Sequence, residues 1–197
     1  MKKVGITGGI GSGKSIVCGI FTALGIPVYS SDKVAGNLME TDGSIRQNLI
    51  RLLGNEVYNG FEPDRKKISE FIFKDPDLLE KVNQIIHPRV AEDFTNWCRK
   101  YKDWSYTVHE SALLFESNFF ILLDIVVTVT SPVEIRLQRI LAREVMTLQK
   151  AESIMKNQLS ENEKVKRSHY QINNDGNTLV LPQVLKIHTL LNTLENI

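Results

Sequence analysis

The stretch Val4-Gly5-Ile6-Thr7-Gly8-Gly9-Ile10-Gly11-Ser12-Gly13-Lys14-Ser15 decides how the rest of the chain is read. Val4 to Thr7 read as a short buried strand that ends on glycines. Gly8, Gly13, Lys14 and Ser15 then fit G-x-x-x-x-G-K-[ST] without a mismatch. Behind them Ile16, Val17, Ile20, Phe21 and Leu24 recur at helical spacing. Strand, glycine-rich turn and helix, in that order, is the setting in which a phosphate loop works. Glycines let the backbone wrap an anion with its N–H groups pointing inward, and the helix adds the positive end of its dipole. On this reading Gly9, Ile10, Gly11, Ser12 and Gly13 line the loop. Lys14 reaches the outer phosphates of a nucleoside triphosphate, and the Ser15 hydroxyl ligates Mg²⁺.

Working outward, Gly25 and Pro27 stop the first helix, and Ile26 to Tyr29 read as a second strand. Ser30-Ser31-Asp32 leads into a helical segment through Met39. Such a β-loop-α-β-α opening predicts a parallel sheet with crossover helices. From about Asp42 to Tyr101 the apolar residues, among them Leu49, Leu53, Ile68, Ile72, Val82 and Ile86, keep helical periods, and no strand is expected there. Strand signals return at Tyr106 to His109 and at Asp124 to Thr130. The second of these has the β-branched run of a strand buried on both faces. Ser131-Pro132-Val133-Glu134 reads as a capping box with proline at the first helical position, opening a helix through Glu144. A helix from Thr147 to about Leu159, a last strand at Tyr170 to Asn173 and a closing helix from Pro182 to Leu194 follow. The expected fold class is α/β, a five-stranded parallel sheet of P-loop NTPase type flanked by helices. Residues 1–41 and 102–197 form its nucleotide-binding core, with a helical lid at about 132–167. Residues 42–101 form a helical insertion for the acceptor.

Composition narrows the class. The chain has 197 residues, 42% hydrophobic and 24% charged, as in an ordinary globular protein. A formal net charge of +1 supplies no broad basic face for nucleic acid. Cys18 and Cys98 lie far apart without metal-ligand spacing and read as reduced thiols. No apolar run suffices to span a bilayer, and the stretch after Lys2-Lys3 breaks at glycines too early for a signal peptide. A cytoplasmic protein without membrane or nucleic-acid partners is expected, as a monomer or weak homo-oligomer.

Three kinds of protein use such a loop. A guanine-nucleotide switch would carry Asn-Lys-x-Asp, which is absent. A mechanical ATPase is usually larger and has an apolar strand ending in an acid, to which Val108-His109-Glu110 is a poor match. A small-molecule kinase needs an acceptor region and a cationic lid, and the helical insertion supplies the first. Arg136, Arg139 and Arg143 lie at spacings of three and four on one helix face. Lid and solvated basic face are both compatible with that spacing. Asp32 lies just past the second strand, at the sheet edge that also carries the loop. A carboxylate there accepts a hydroxyl proton during phosphoryl transfer, or caps a helix. Glu110, at the end of the third strand, is a second candidate for Mg²⁺, through water, or a plain exposed acid. His87 beside Pro88 marks a helix junction and either packs there or meets the acceptor.

The segment Ile6 to Ser15 resembles the opening of dephospho-CoA kinases. The resemblance continues in order along nearly the whole chain. It takes in Leu24-Gly25-Ile26-Pro27-Val28 before Asp32, His87-Pro88, Leu113-Leu114-Phe115-Glu116, Arg139 and Arg143, Gln158, Glu163-Lys164, and Ile172-x-Asn174-x-Gly176. It implies transfer of the γ-phosphoryl group of ATP to the ribose 3′-hydroxyl of dephospho-CoA, which completes coenzyme A biosynthesis. The implied partners are ATP and dephospho-CoA, with Mg²⁺ as cofactor. Asp32 would be the base, with Lys14 and Arg139 beside it as catalytic residues. Arg143 and Asn174 would flank the adenine, and Asp32, His87, Arg89, Glu110 and Leu113 would face the acceptor. The chain departs from the family pattern at Ser30, at Glu110-Ser111-Ala112 and at Ser168-His169, where acidic or proline positions are expected. A kinase of a nucleoside or sugar acid and an ATP-binding regulator without a metabolite acceptor remain as alternatives.

Overall fold

The computed structural model describes residues 1–142 and 147–193. Its first elements are β1 (Lys2–Thr7), α1 (Lys14–Ala23), β2 (Val28–Ser30), α2 (Ser31–Thr41) and α3 (Gly43–Leu53). Then come β3 (Tyr58–Asn59), β4 (Glu62–Pro63), α4 (Arg65–Lys74) and α5 (Pro76–Lys100). The remainder is β5 (Tyr106–Glu110), β6 (Ile125–Thr130), α6 (Val133–Leu141), α7 (Leu148–Lys156), α8 (Glu161–Lys166), β7 (Tyr170–Asn173) and α9 (Val180–Thr193). The chain divides into two compact units, one of Met1–Ser30 with Lys100–Ile197 and one of Ser31–Arg99.

The first unit is built on a five-stranded sheet of order β2-β5-β1-β6-β7, parallel throughout. Lys2 stands opposite Tyr106, Val4 opposite Ile125 and Val127 opposite Tyr170. β1 is therefore central, and its sequence partner in the sheet lies about a hundred residues downstream. Ile6, Val108, Val127, Val129 and Ile172 are buried between the sheet and its helices. α1 contributes Val17 and Phe21 to that core, and α9 contributes Val184, Ile187 and Leu191 at steps of three and four. Phe21 meets Tyr106 edge-on at 6.2 Å between ring centroids.

The second unit is helical apart from a small hairpin. Asp42 caps α3 by accepting from the Ser44 and Ile45 amides at 2.8 and 3.2 Å. Ile45, Leu49 and Leu53 bury one face of that helix, and Val82, Ile86, Val90, Phe94 and Cys98 do so along α5 at steps of four.

Three expectations need correction. The hairpin β3-β4 interrupts a region expected to be wholly helical. Strands of two residues carry no readable period, and the turn between them uses Gly60 at φ 64°. Pro88 does not end a helix but lies inside α5, which runs unbroken for 25 residues. Proline removes one hydrogen bond, and the apolar stripe on both sides of it keeps the helix continuous. Ser131 does not cap α6, because Pro132 takes the N-cap position and no side chain caps it. α6 ends at Leu141, and the expected continuation to Glu144 lies outside the described residues. The second compact unit begins at Ser31 and so includes α2.

Candidate active site

Because the strands are parallel, their carboxyl ends share one edge of the sheet. β1 runs there into Gly8–Gly13, β5 ends on Glu110, β6 runs into Ser131, and β7 runs into Asn174. Gly13 sits at the N-cap of α1 with φ 95°, a left-handed conformation that costs glycine little. A Cβ there would also strike the Asn174 amide.

The loop carbonyls are held from outside one after another. The Lys14 ammonium donates to the Gly8 and Gly9 oxygens at 2.9 and 3.2 Å. Arg136 Nε donates to Ile10 O at 2.9 Å, Arg139 Nη1 to Gly11 O at 3.5 Å and Asn174 Nδ2 to Ser12 O at 2.7 Å. Every carbonyl from Gly8 to Ser12 thus meets a side-chain donor. A loop that turns amides toward an anion must turn carbonyls away from it, and buried carbonyls need donors. Gln158 adds to the clasp, since its Oε1 accepts from the Ile10 amide at 3.0 Å. Arg139 also donates to Ser131 Oγ and to the backbone and side-chain oxygens of Asn174, each at 3.2 Å.

These contacts bear on the two arginines that fall on described residues. Neither Arg136 nor Arg139 stands on a solvated face. Arg136 is only 6% exposed, and burial holds its pKa below the ordinary guanidinium value against the opposing pull of Glu161. Glu161 in turn accepts from the Ser131 amide at 3.0 Å. Ser131 therefore receives Arg139 and donates to Glu161. Arg143 lies outside the described residues.

The charges around the first turn of α1 show in Cys18. Burial pushes its thiol pKa well up, Glu110 adds to the rise and Lys14 opposes it. Ser15 is exposed in that turn, and its hydroxyl takes no partner among the described residues. A serine hydroxyl and a carboxylate at Glu110 are hard oxygen donors of the kind Mg²⁺ takes. Among the described residues no group of three His, Cys, Asp or Glu could cage a metal alone. Mg²⁺ in kinases is usually held by one or two protein oxygens with the substrate phosphates completing the shell, so the residues present fit it.

Behind the edge, Lys164 of α8 is fully buried. Its ammonium lies 3.0 Å from Glu116 Oε1 and donates to Ala112 O at 2.7 Å. The same Glu116 oxygen accepts the Leu159 amide at 2.7 Å. This fastens α8 to the turns that follow β5. Leu113 is exposed there, its amide donating to Ser111 Oγ at 3.3 Å.

The other expected acceptor residues belong to the second unit. Asp32 follows β2 by two residues and stands in the first turn of α2, inside the helix rather than at its cap. His87 is half-buried in α5, which lowers its pKa. Arg89 is exposed and held by carboxylates, its Nε 2.7 Å from Asp42 and its Nη1 2.6 Å from Glu92. The roles of Arg136, Glu161 and Ser131 went unread in the sequence. Arg136 was visible only as a spacing of three from Arg139, and Glu161 shows no local pattern.

No helix among the described residues is long and apolar enough to cross a membrane. A sequence model of the dephospho-CoA kinase family (CoaE) matches residues 2–179. The dephospho-CoA kinase of Porphyromonas gingivalis is 40% identical over 188 residues, covering 95% of this chain and 93% of its own. That of Bacteroides fragilis is 36% identical over 189 residues, covering 96% and 92%. The crystal structure of TT1252 from Thermus thermophilus superposes with a TM-score of 0.85 at 29% identity, covering 96% of each chain. The chain belongs to the dephospho-CoA kinase family.

Proposed function

We propose that Lys14, Asp32 and Arg139 carry the phosphoryl transfer of this enzyme, and that the acceptor atom is the ribose 3′-hydroxyl. The reaction is that of the family, ATP-dependent phosphorylation of dephospho-CoA in coenzyme A biosynthesis. The observation that carries the residue assignment is the clasped loop, in which each carbonyl from Gly8 to Ser12 is turned onto a side-chain donor. A backbone so held has its shape fixed before a phosphate arrives, and preorganised donors of that kind are the usual source of electrostatic catalysis.

ATP would lie with its β- and γ-phosphates in the loop. Lys14 then exchanges the Gly8 and Gly9 carbonyls for phosphoryl oxygens and stays with the γ-group as charge develops on it. Arg139, next to Gly11 and Asn174, adds a second positive charge at the same edge. Asn174 holds Ser12 and, with Arg143, borders the base. Ser15, with Glu110 through water, would hold Mg²⁺, whose charge screens the β- and γ-phosphoryl oxygens. Asp32 orients the acceptor hydroxyl and takes its proton late in the transfer, as carboxylates in kinases do. His87, Arg89 and Leu113 receive the rest of the acceptor. The segment at about 132–167 acts as a lid that excludes water. A biosynthetic kinase of this kind works in the cytoplasm, as a monomer or weak homo-oligomer.

The test is ADP release from ATP and Mg²⁺ with dephospho-CoA, adenosine, AMP or gluconate at equal concentration. Dephospho-CoA should be turned over far faster than adenosine, because binding energy from its pyrophosphate and arm is used to position the hydroxyl. Adenosine or gluconate matching it would refute the acceptor. No release above the background without acceptor would favour an ATP-binding regulator.

A further inference from the structure

Arg136 is one of three cations that bond the loop carbonyls, with Lys14 and Arg139. It is buried, it lies on the carbonyl side of the loop, and a buried guanidinium is costly unless its donors are used. Its Nε is used on Ile10 O at 2.9 Å. The guanidinium also lies over Gly9, where an added Cβ would overlap it. Gly9 is not among the glycines with positive φ, so its backbone would accept alanine, and the nearest atoms its methyl would meet all belong to the Arg136 guanidinium. One turn along, a Cβ on Gly11 would come within 2.7 Å of the Arg136 carbonyl oxygen. α6 thus bears on the loop at Gly9 through a side chain and at Gly11 through its backbone. Glu161, anchored by the Ser131 amide at 3.0 Å, supplies the opposing charge from α8.

We infer that Arg136 is a positioning residue for the nucleotide, fixing the Gly9–Ile10 part of the phosphate loop from behind, with Glu161 as its counter-charge. The inference rests on the loop being a nucleotide site and assigns Arg136 a hold on the loop backbone in place of a contact with the γ-phosphoryl group. The Arg136 Nε is taken by Ile10 O at 2.9 Å and its guanidinium lies against Gly9, so its donors serve the loop backbone. Arg136 therefore acts on whatever the loop holds and does not distinguish a γ-phosphoryl group from its absence. A residue touching the γ-group would make that distinction.

The experiment is calorimetric titration of the full chain with ADP and with ATP, without acceptor. Arg136→Ala should weaken both by the same factor, about tenfold, as for loss of a hydrogen bond from a charged donor. The KM for ATP should rise by a similar factor while the KM for dephospho-CoA stays put. Gly9→Ala, which pushes into the guanidinium, should also weaken ADP. In the Arg136→Ala background the same change should cost much less, because the obstructing group is gone. A purely structural Arg136 would lower the melting temperature and leave both affinities alone, which overturns the inference. ATP weakened with ADP unchanged overturns it too, since Arg136 would then act on the γ-group. If Arg136→Ala fails to fold, unchanged ADP affinity in Gly9→Ala is decisive against it. If the parent protein does not bind ADP, the loop reading fails first, and this inference with it.

Discussion

His109 allows a prediction about acid stability. It stands in β5 opposite Gly5 and Tyr29, fully buried, with Tyr29 stacked on it at 5.3 Å and Phe119 tilted against it at 4.6 Å. Burial pushes its pKa down from 6.5 to about 3. The folded chain therefore leaves this ring neutral across the range in which the unfolded chain protonates it. Acid then favours the unfolded state, because that state binds the extra proton. Between pH 7 and pH 5 the imidazole of the unfolded chain, with a pKa of about 6.5, goes mostly from neutral to charged, and the linkage integral amounts to about 2 kcal/mol. The loss continues at about 1.4 kcal/mol per pH unit until the folded-state pKa is reached. Urea unfolding of the parent and of His109→Phe at the two pH values, followed by circular dichroism, isolates the term. All other titrating groups are common to both proteins, so the parent should lose about 2 kcal/mol more than the variant over this interval. Equal losses would show that His109 is protonated within the folded protein, or that acid acts elsewhere.

Three further outcomes are expected. Lys14→Ala should keep its fold and lose roughly 10²–10³ in kcat, as for removal of one electrostatic contact to the reacting group, and steady-state assays beside a melting curve check both halves. Asp32→Asn should still bind ATP by calorimetry but transfer roughly 10²–10⁴ more slowly, and a normal kcat would leave Asp32 only a place in the first turn of α2. Lys164→Met should cost about 3–5 kcal/mol in urea unfolding, because it leaves the Glu116 carboxylate without its cation, and adding Glu116→Gln should recover part of the loss.

The loop was legible because its constraints are local. Glycine positions, the lysine, the serine and the following helix all fall within one short window, and β7 was read at its observed limits, Tyr170–Asn173, from a similar local pattern. β6 announced itself through a run of β-branched residues that only a doubly covered strand tolerates. What escaped depends on distant partners. Ser131 looked like a cap, but its hydroxyl receives Arg139 eight residues on and its amide goes to Glu161, thirty residues on. α8, six residues long, is too short to show a helical period. Lys164 reads in sequence as one charge in a charged stretch, and only the fold reveals it as buried on Glu116 and Ala112. Arg136 was legible by its spacing as a lid candidate, but burial of a cation on a carbonyl leaves no mark on neighbouring residues.

The sheet order also governs how the chain comes off the ribosome. β1 is its central strand, yet the neighbour that hydrogen-bonds one side of it, β5, is made about a hundred residues later, and β6 and β7 later still. At a synthesis rate of ~5–20 residues per second, the wait for β5 is roughly 5–20 s. Throughout that interval Val4 and Ile6 and the apolar face of α1 have none of their final partners among the later strands. The segment Ser31–Arg99, a compact unit by itself, emerges complete during the same wait. Nascent chains stalled before Tyr106 would therefore carry an unpaired apolar strand, and those are the species a strand-binding chaperone would meet.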